Sequence, residues 1–192
     1  MNEEKLIKRC QQHDMKAYKA IYQRYEQTLL RTALRILGHR QDAEDAVQTT
    51  FLKLYRGVKN FRFDAKFSTY LFRIIINACF DILKKEKRMN MVVLDADTDF
   101  DIETNIDKAN PSYDYNPEPG VTFHLEKAIE ALPPRMRTCF VLFAVEEFKQ
   151  KEIAAILGLS IGAVKANIFQ AKARLRARLA LSDSGSVKKE QS

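Results

Sequence analysis

The chain has 192 residues, 32 of them Lys or Arg against 25 Asp or Glu, for a net charge of +7. That length suits one ordinary domain or two small ones with modest cores, and the basic balance favours a polyanionic partner, whether DNA, RNA or an acidic membrane surface. No stretch approaches the roughly 18 consecutive apolar residues of a membrane span, and the charged opening MNEEKLIKRCQQHD lacks the apolar run of a signal peptide, so a soluble, cytoplasmic protein without membrane insertion is expected.

The cysteines, Cys10, Cys79 and Cys139, are far apart, odd in number and set among apolar residues, which predicts buried free thiols in a reducing compartment. His13, His39 and His124 stand on unrelated segments, and no CxxC, metal-ligand spacing or phosphate loop occurs. Neither a metal nor any other cofactor is expected, and the chain reads as a binding protein rather than an enzyme. Charge is unevenly spread: residues 1–94 hold 19 bases and 10 acids, residues 95–120 hold 1 and 8, and residues 121–192 hold 12 and 7.

Taken in order, the first long amphipathic helix runs from Met15 to Leu37, with Tyr18, Ile21, Tyr22, Tyr25, Leu29, Ala33 and Leu37 at helical spacing and Gly38 to stop it. A second runs from Gln41 to Arg56 on Ala43, Ala46, Val47, Thr50, Phe51 and Leu54, with acids near its start that suit the helix dipole and Gly57 at its end. The loop Val58–Lys66 follows. A third helix, Phe67 to Lys87, buries Leu71, Ile74, Ile75, Ala78, Ile82 and Leu83 and ends in the cations Lys84, Lys85, Lys87 and Arg88. Short connections between such helices predict a three-to-four-helix bundle over residues 1–94.

Residues 95–120 alternate acids with isolated apolar residues and carry three prolines, too little apolar surface for a core, so they read as an acidic flexible linker. Solubility explains its acidity as well as binding does. Beyond it, Thr122–Leu132 is a short helix, and Pro134 can open another that runs to Glu147 with Met136, Phe140, Val141 and Phe143 inside.

The segment EFKQKEIAAILGLSIGAVKANIFQAKARLRARL, Glu147–Leu179, then parses as a helix-turn-helix. Its first helix, Gln150–Leu157, carries Ile153, Ala154 and Leu157 on one face; Gly158 supplies a left-handed stop and Ser160 a side-chain cap. The next helix sets Ile161, Val164, Ile168, Ala171 and Leu175 in one buried stripe and Lys165, Asn167, Gln170, Lys172 and Arg174 outside. A lysine-bearing outer face is commonly just a solvated surface; the turn and cap arriving in order favour DNA reading. The whole is all-α, with two small helical domains: residues 1–94, the linker 95–120, a helix-turn-helix domain 121–181, and a polar tail 182–192.

Two strings carry a family resemblance. DAEDAVQTTFLKLYRGVKNF (Asp42–Phe61) followed by FSTYLFRIIINACFDILKKEKR (Phe67–Arg88) resembles the second conserved region of bacterial RNA polymerase sigma factors of the extracytoplasmic-function (ECF) group. LPPRMRTCFVLFAVEEFKQKEIAAILGLSIGAVKANIFQAKARLR (Leu132–Arg176) resembles the fourth region of the same group.

The resemblance implies an alternative sigma factor that binds core polymerase and directs promoter recognition and opening, with the polymerase clamp helices and flap, promoter DNA and an anti-sigma factor as partners. By position it gives Asp42, Asp45, Gln48, Phe51 and Leu52 to the clamp helices of the largest subunit, the alternative being that Phe51 is core and the acids only cap the helix. Thr49 stands where the family usually has glutamate.

Phe61, Phe63, Phe67, Tyr70, Arg73, Asn77, Lys84 and Lys85 would capture the minus-ten element as single-stranded DNA, aromatics for bases and cations for phosphates. About half of these aromatics should belong to the core, and Tyr70 replaces the family's usual tryptophan. Lys165, Asn167, Phe169, Gln170 and Arg174 would face the minus-thirty-five duplex. Ala163, Ala166, Asn167 and Gln170 replace threonine, serine and two arginines common in the family, so base preferences do not transfer. In position, the linker matches the segment threaded toward the RNA exit.

The rival reading is a dimeric helix-turn-helix repressor or activator, with the first bundle as sensor; a basic, aromatic-rich third helix has no task there. An RNA-binding helical protein rests on charge alone.

Overall fold

The computed structural model describes residues 2–92 and 121–186, with side chains described over residues 2–87 and 124–180. The predicted linker 95–120, the side chain of Arg88 and the end of the tail, residues 187–192, lie outside the described residues. All regular structure among the described residues is helical, in two compact units, one holding residues 2–92 and the other residues 121–186.

In the N-terminal unit, α1 (Glu3–Gln11), α2 (Met15–Leu37), α3 (Arg40–Gly57) and α4 (Phe67–Val92) form the bundle, with a 3-10 turn, Val58–Asn60, after α3. The helix α1 is an addition to the predicted set. Its polar sequence conceals Leu6, Ile7 and Cys10, which are buried, and Asn2 caps it by accepting from the Glu4 N–H at 3.3 Å. Asp14 caps α2 by accepting from the N–H groups of Lys16 (2.9 Å) and Ala17 (3.2 Å), and Gly38 ends that helix with φ 83°, a conformation that favours glycine.

The core lies among α2, α3 and α4, which pack on one another, while α1 closes one side against α2. Ile21, Leu29, Ile36, Leu54, Leu71, Ile75 and Ile76 are fully buried, each contributing about 1.5–3 kcal/mol from apolar burial. The buried hydroxyls of Thr32 and Thr50 donate to the carbonyls of Thr28 (2.9 Å) and Ala46 (2.7 Å), so neither is an unpaired polar group. The inner face of α4 includes Phe72, Ile76 and Cys79, whereas the predicted Ile74, Ile82 and Leu83 are only half-buried.

The C-terminal unit contains α5 (Val121–Glu130), α6 (Pro134–Ala144), α7 (Gln150–Leu157) and α8 (Ile161–Ser186). Ala128, Ile129, Leu132, Met136, Val141, Ala171 and Leu175 make one apolar cluster from α5, α6 and α8, with Leu125, Phe140 and Leu179 at its edge. Pro134 stands at the first position of α6, as predicted, but α6 ends at Ala144 rather than Glu147, whose φ of 57° is left-handed. Buried Arg137 donates from its guanidinium to the carbonyl of Leu132 at 3.1 and 3.3 Å, so the charge spans the Pro133–Pro134 break.

Cys10, Cys79 and Cys139 are buried free thiols, as the sequence predicts. Burial holds the thiols of Cys79 and Cys139 up, to about 12 and about 11, so they remain protonated and unreactive at neutral pH. No single helix among the described residues is long and apolar enough to cross a membrane.

Candidate nucleic-acid interface

After α3 the chain tightens into the 3-10 turn and delivers four aromatic rings to one place. Phe61 and Phe67 are buried, at 8% and 4% exposure, whereas Tyr70 is half-buried and Phe63 is 38% exposed. The Phe61 ring centroid lies 4.9 Å from that of Phe63, 5.6 Å from that of Phe67 and 5.1 Å from that of Tyr70. Two rings are therefore foundation and two are surface. Of the four candidate aromatics, Phe61 and Phe67 belong to the core, in line with the expectation that about half of them would.

Phe63 has φ 61°, an uncommon backbone state for an aromatic residue, and it turns the ring outward. Gly57 makes room for the group opposite, because a Cβ there would lie 3.0 Å from the Tyr70 hydroxyl. Burial pushes that hydroxyl's pKa up. Arg73 and Asn77 are exposed at helical spacing beyond Tyr70, and Lys84 and Lys85 are exposed further along α4. The exposed Asp81 intervenes, with Lys53 3.7 Å away as its ion-pair partner.

On α3, Asp45, Gln48 and Leu52 share one exposed face, and Leu52 is 59% exposed. Tyr55, 41% exposed, extends the same face by one more turn and was legible from its spacing of three residues after Leu52. Phe51 belongs to the core: it is 5% exposed, its ring lies 4.6 Å from that of Tyr22, and its carbonyl accepts the Tyr18 hydroxyl. Asp42 turns toward α4. There the Glu86 carboxyl is held above its usual range, first by desolvation and then by the negative charge of Asp42.

The helix-turn-helix spans α7 and α8, whose directions differ by 106°. Glu152 accepts the Lys149 N–H at 2.9 Å at the start of α7, Gly158 ends it with φ 65°, and Ser160 Oγ accepts the Ala163 N–H at 3.1 Å to open α8. Val164, Ile168, Ala171 and Leu175 form the buried stripe. Ile161 does not join it, being 44% exposed in the first turn, before α8 meets its neighbours; in α7, Ile156 is buried where Leu157 was expected.

Lys165, Phe169, Gln170 and Arg174 are exposed, and Phe169 at 74% is the most exposed of the large apolar side chains described. Asn167 is half-buried, and its amide donates to the Ala163 carbonyl of the same helix at 2.9 Å, which engages one of its donors. Lys172 sits over the Phe143 ring, 4.8 Å from its centroid, fastening the outer face of α8 to α6. Arg176 and Arg178 add exposed cations that the candidate set omitted, although their charge was plain in the sequence. No cluster of three His, Cys, Asp or Glu side chains suited to a metal occurs among the described residues.

Residues 21–89 match the family model for sigma-70 region 2, and residues 123–175 match the model for sigma-70 region 4. An ECF RNA polymerase sigma factor, SigE of Mycolicibacterium smegmatis, is 30% identical over 86% of this chain, which spans 63% of that relative's length. The ECF RNA polymerase sigma-E factor of Haemophilus influenzae is 29% identical, covering 90% of this chain and 92% of the relative. Among solved structures, the sigma factor RpoE of Bartonella quintana, in complex with the anti-sigma factor NepR, shares the fold with a TM-score of 0.66 at 22% identity, over 86% of this chain and 98% of that one. With both sigma-70 regions present in order and ECF factors aligned along most of its length, the chain belongs to the ECF group of RNA polymerase sigma factors, which direct promoter recognition by the polymerase.

Proposed function

We propose that the chain binds core RNA polymerase through the exposed face of α3, captures unpaired promoter bases on the Phe63–Tyr70 surface, and reads the upstream duplex with α8. The observation that carries this reading is the coexistence of two surfaces with different chemistry. Exposed aromatics with neighbouring cations suit flipped bases and their backbone, whereas a helix presenting Lys165, Gln170 and Arg174 suits a major groove. A regulator that only binds duplex DNA needs the second surface alone.

On α3 the contact set is Asp45, Gln48 and Leu52, joined by Tyr55, with Asp42 at its edge and Phe51 supporting it from beneath. Acids and an amide around an exposed leucine fit the clamp helices of the largest subunit, if those present basic and apolar groups. On α4, Arg73, Asn77, Lys84 and Lys85 continue from the aromatic surface along the path of a single strand. On α8, Phe169 offers an apolar contact for a thymine methyl group, and Asn167 keeps its side-chain oxygen for a base donor. The protein works in the cytoplasm, and by analogy with the Bartonella quintana pair an anti-sigma factor holds it when it is not needed.

The test is co-purification with core polymerase. Asp45→Arg combined with Gln48→Ala should abolish it while leaving helical circular dichroism unchanged. Undiminished co-purification of the folded variant would show that core polymerase is not held through this face of α3.

A further inference from the structure

The helix α1 precedes the residues matched to sigma-70 region 2, which begin at residue 21, yet it touches the aromatic loop at two points. Gln11 Nε2 donates to the carbonyl of Val58 at 3.1 Å and to that of Phe61 at 2.8 Å, reaching across 47 and 50 residues of sequence. Both amide hydrogens are thereby committed to the backbone of the turn from which Phe63 projects. One helical turn earlier, Lys8 Nζ lies 5.7 Å from the centroid of the Phe63 ring.

The helix is itself held firmly. Leu6, Ile7 and Cys10 are buried, Glu3 accepts the Tyr25 hydroxyl at 2.6 Å and pairs with Arg24 at 3.6 Å, and Arg9 pairs with Asp14 at 2.7 Å. The loop is not self-sufficient in the same way, because a left-handed phenylalanine persists only when its surroundings over-determine it.

We infer that Gln11 is a positioning residue for base capture: α1 fixes the loop backbone and so holds Phe63 outward in the geometry that receives an unpaired base. This rests on the proposed role of the Phe63–Tyr70 surface.

The experiment uses holoenzyme assembled from core polymerase and the full chain, and a fork-junction probe made from a promoter that this holoenzyme opens. Gln11→Met keeps the side-chain length and removes both donors; it should weaken binding of the single-stranded end by about ten-fold, with core affinity and protection of the upstream duplex unchanged. On a Phe63→Ala background the same change should add less than about two-fold, because the ring to be positioned is gone. Gln11→Lys, which restores a donor, should recover most of the loss; if Gln11→Met does not fold, Gln11→Glu, which keeps the side chain's size but sets acceptors against the two carbonyls, takes its place with the same expected loss. Wild-type probe binding by Gln11→Met, with Phe63→Ala impaired, overturns the inference and leaves the surface reading intact. Equal losses from Gln11→Met with and without Phe63 also overturn it, since they mean general destabilisation. No loss from Phe63→Ala itself defeats the underlying reading of the loop.

Discussion

Phe63 and Phe169 are both exposed aromatics on surfaces proposed to meet DNA, and the chain builds them in opposite ways. Phe63 stands on a loop, in a left-handed conformation, above buried Phe61 and with Gln11 bonded to the backbone just before it. Phe169 stands in the middle of α8, 74% exposed, and needs no local support because Val164, Ile168, Ala171 and Leu175 fix the helix from behind. On the proposed roles, the contrast follows from the target. A duplex groove accepts a regular helix as it is, whereas a flipped base requires a surface that regular structure does not provide, so the chain sets a ring in an uncommon backbone state and braces it.

The strongest way to separate the two units is to unfold one of them. Leu142→Ala removes a fully buried side chain from α6 and should cost the C-terminal unit about 2–5 kcal/mol, seen in calorimetry as a lowered transition for that unit with the N-terminal transition unmoved. A smaller effect should come from Lys165→Ala with Arg174→Ala: if both side chains meet phosphate, the log–log salt dependence of upstream binding should fall by about 2, equally for all sequences. Gly158→Ala sharpens the contrast between strain that is braced and strain that is merely permitted. Nothing lies within 4 Å of the added Cβ, so the cost is that of the left-handed backbone alone, about 1–2 kcal/mol, measured by denaturant unfolding.

The smallest effect concerns Glu86. A carboxyl whose pKa is raised on folding binds its proton more tightly in the folded state, so its ionised form opposes folding above that raised value. Glu86→Gln should therefore stabilise the N-terminal unit slightly at neutral pH, and the gain should vanish as the pH falls below the ordinary carboxylate range.

Much of the fold was legible because its signals are local. The spans Met15–Leu37 and Gln150–Leu157 follow from periodicity, and Gly38, Gly158 and Ser160 act at the helix ends where their chemistry places them. The helix α1 was missed although Leu6, Ile7 and Cys10 have helical spacing and Asn2 is a good cap, because so short and charged a segment acquires its helix by packing on α2. The sorting of aromatics was not legible residue by residue. Phe61, Phe63 and Phe67 are alike in sequence, and only the turn after α3 and the φ of Phe63 decide which ring faces out. Ile161 is exposed although the stripe predicts it inside, and Ile156 is buried in place of Leu157, for a similar reason: at the end of a helix, exposure depends on the neighbouring element and not on the stripe.

The most direct measurement is permanganate footprinting of promoter opening on a linear template by holoenzyme carrying Phe63→Ala with Tyr70→Ala, its folding verified by thermal melt. Base stacking on an aromatic ring is worth roughly 1–3 kcal/mol, so losing the surface should reduce thymine reactivity near the start site by about ten- to a hundred-fold while the upstream element stays protected through α8. A stably folded double variant that opens promoters as well as wild type would contradict the assignment of base capture to Phe63 and Tyr70.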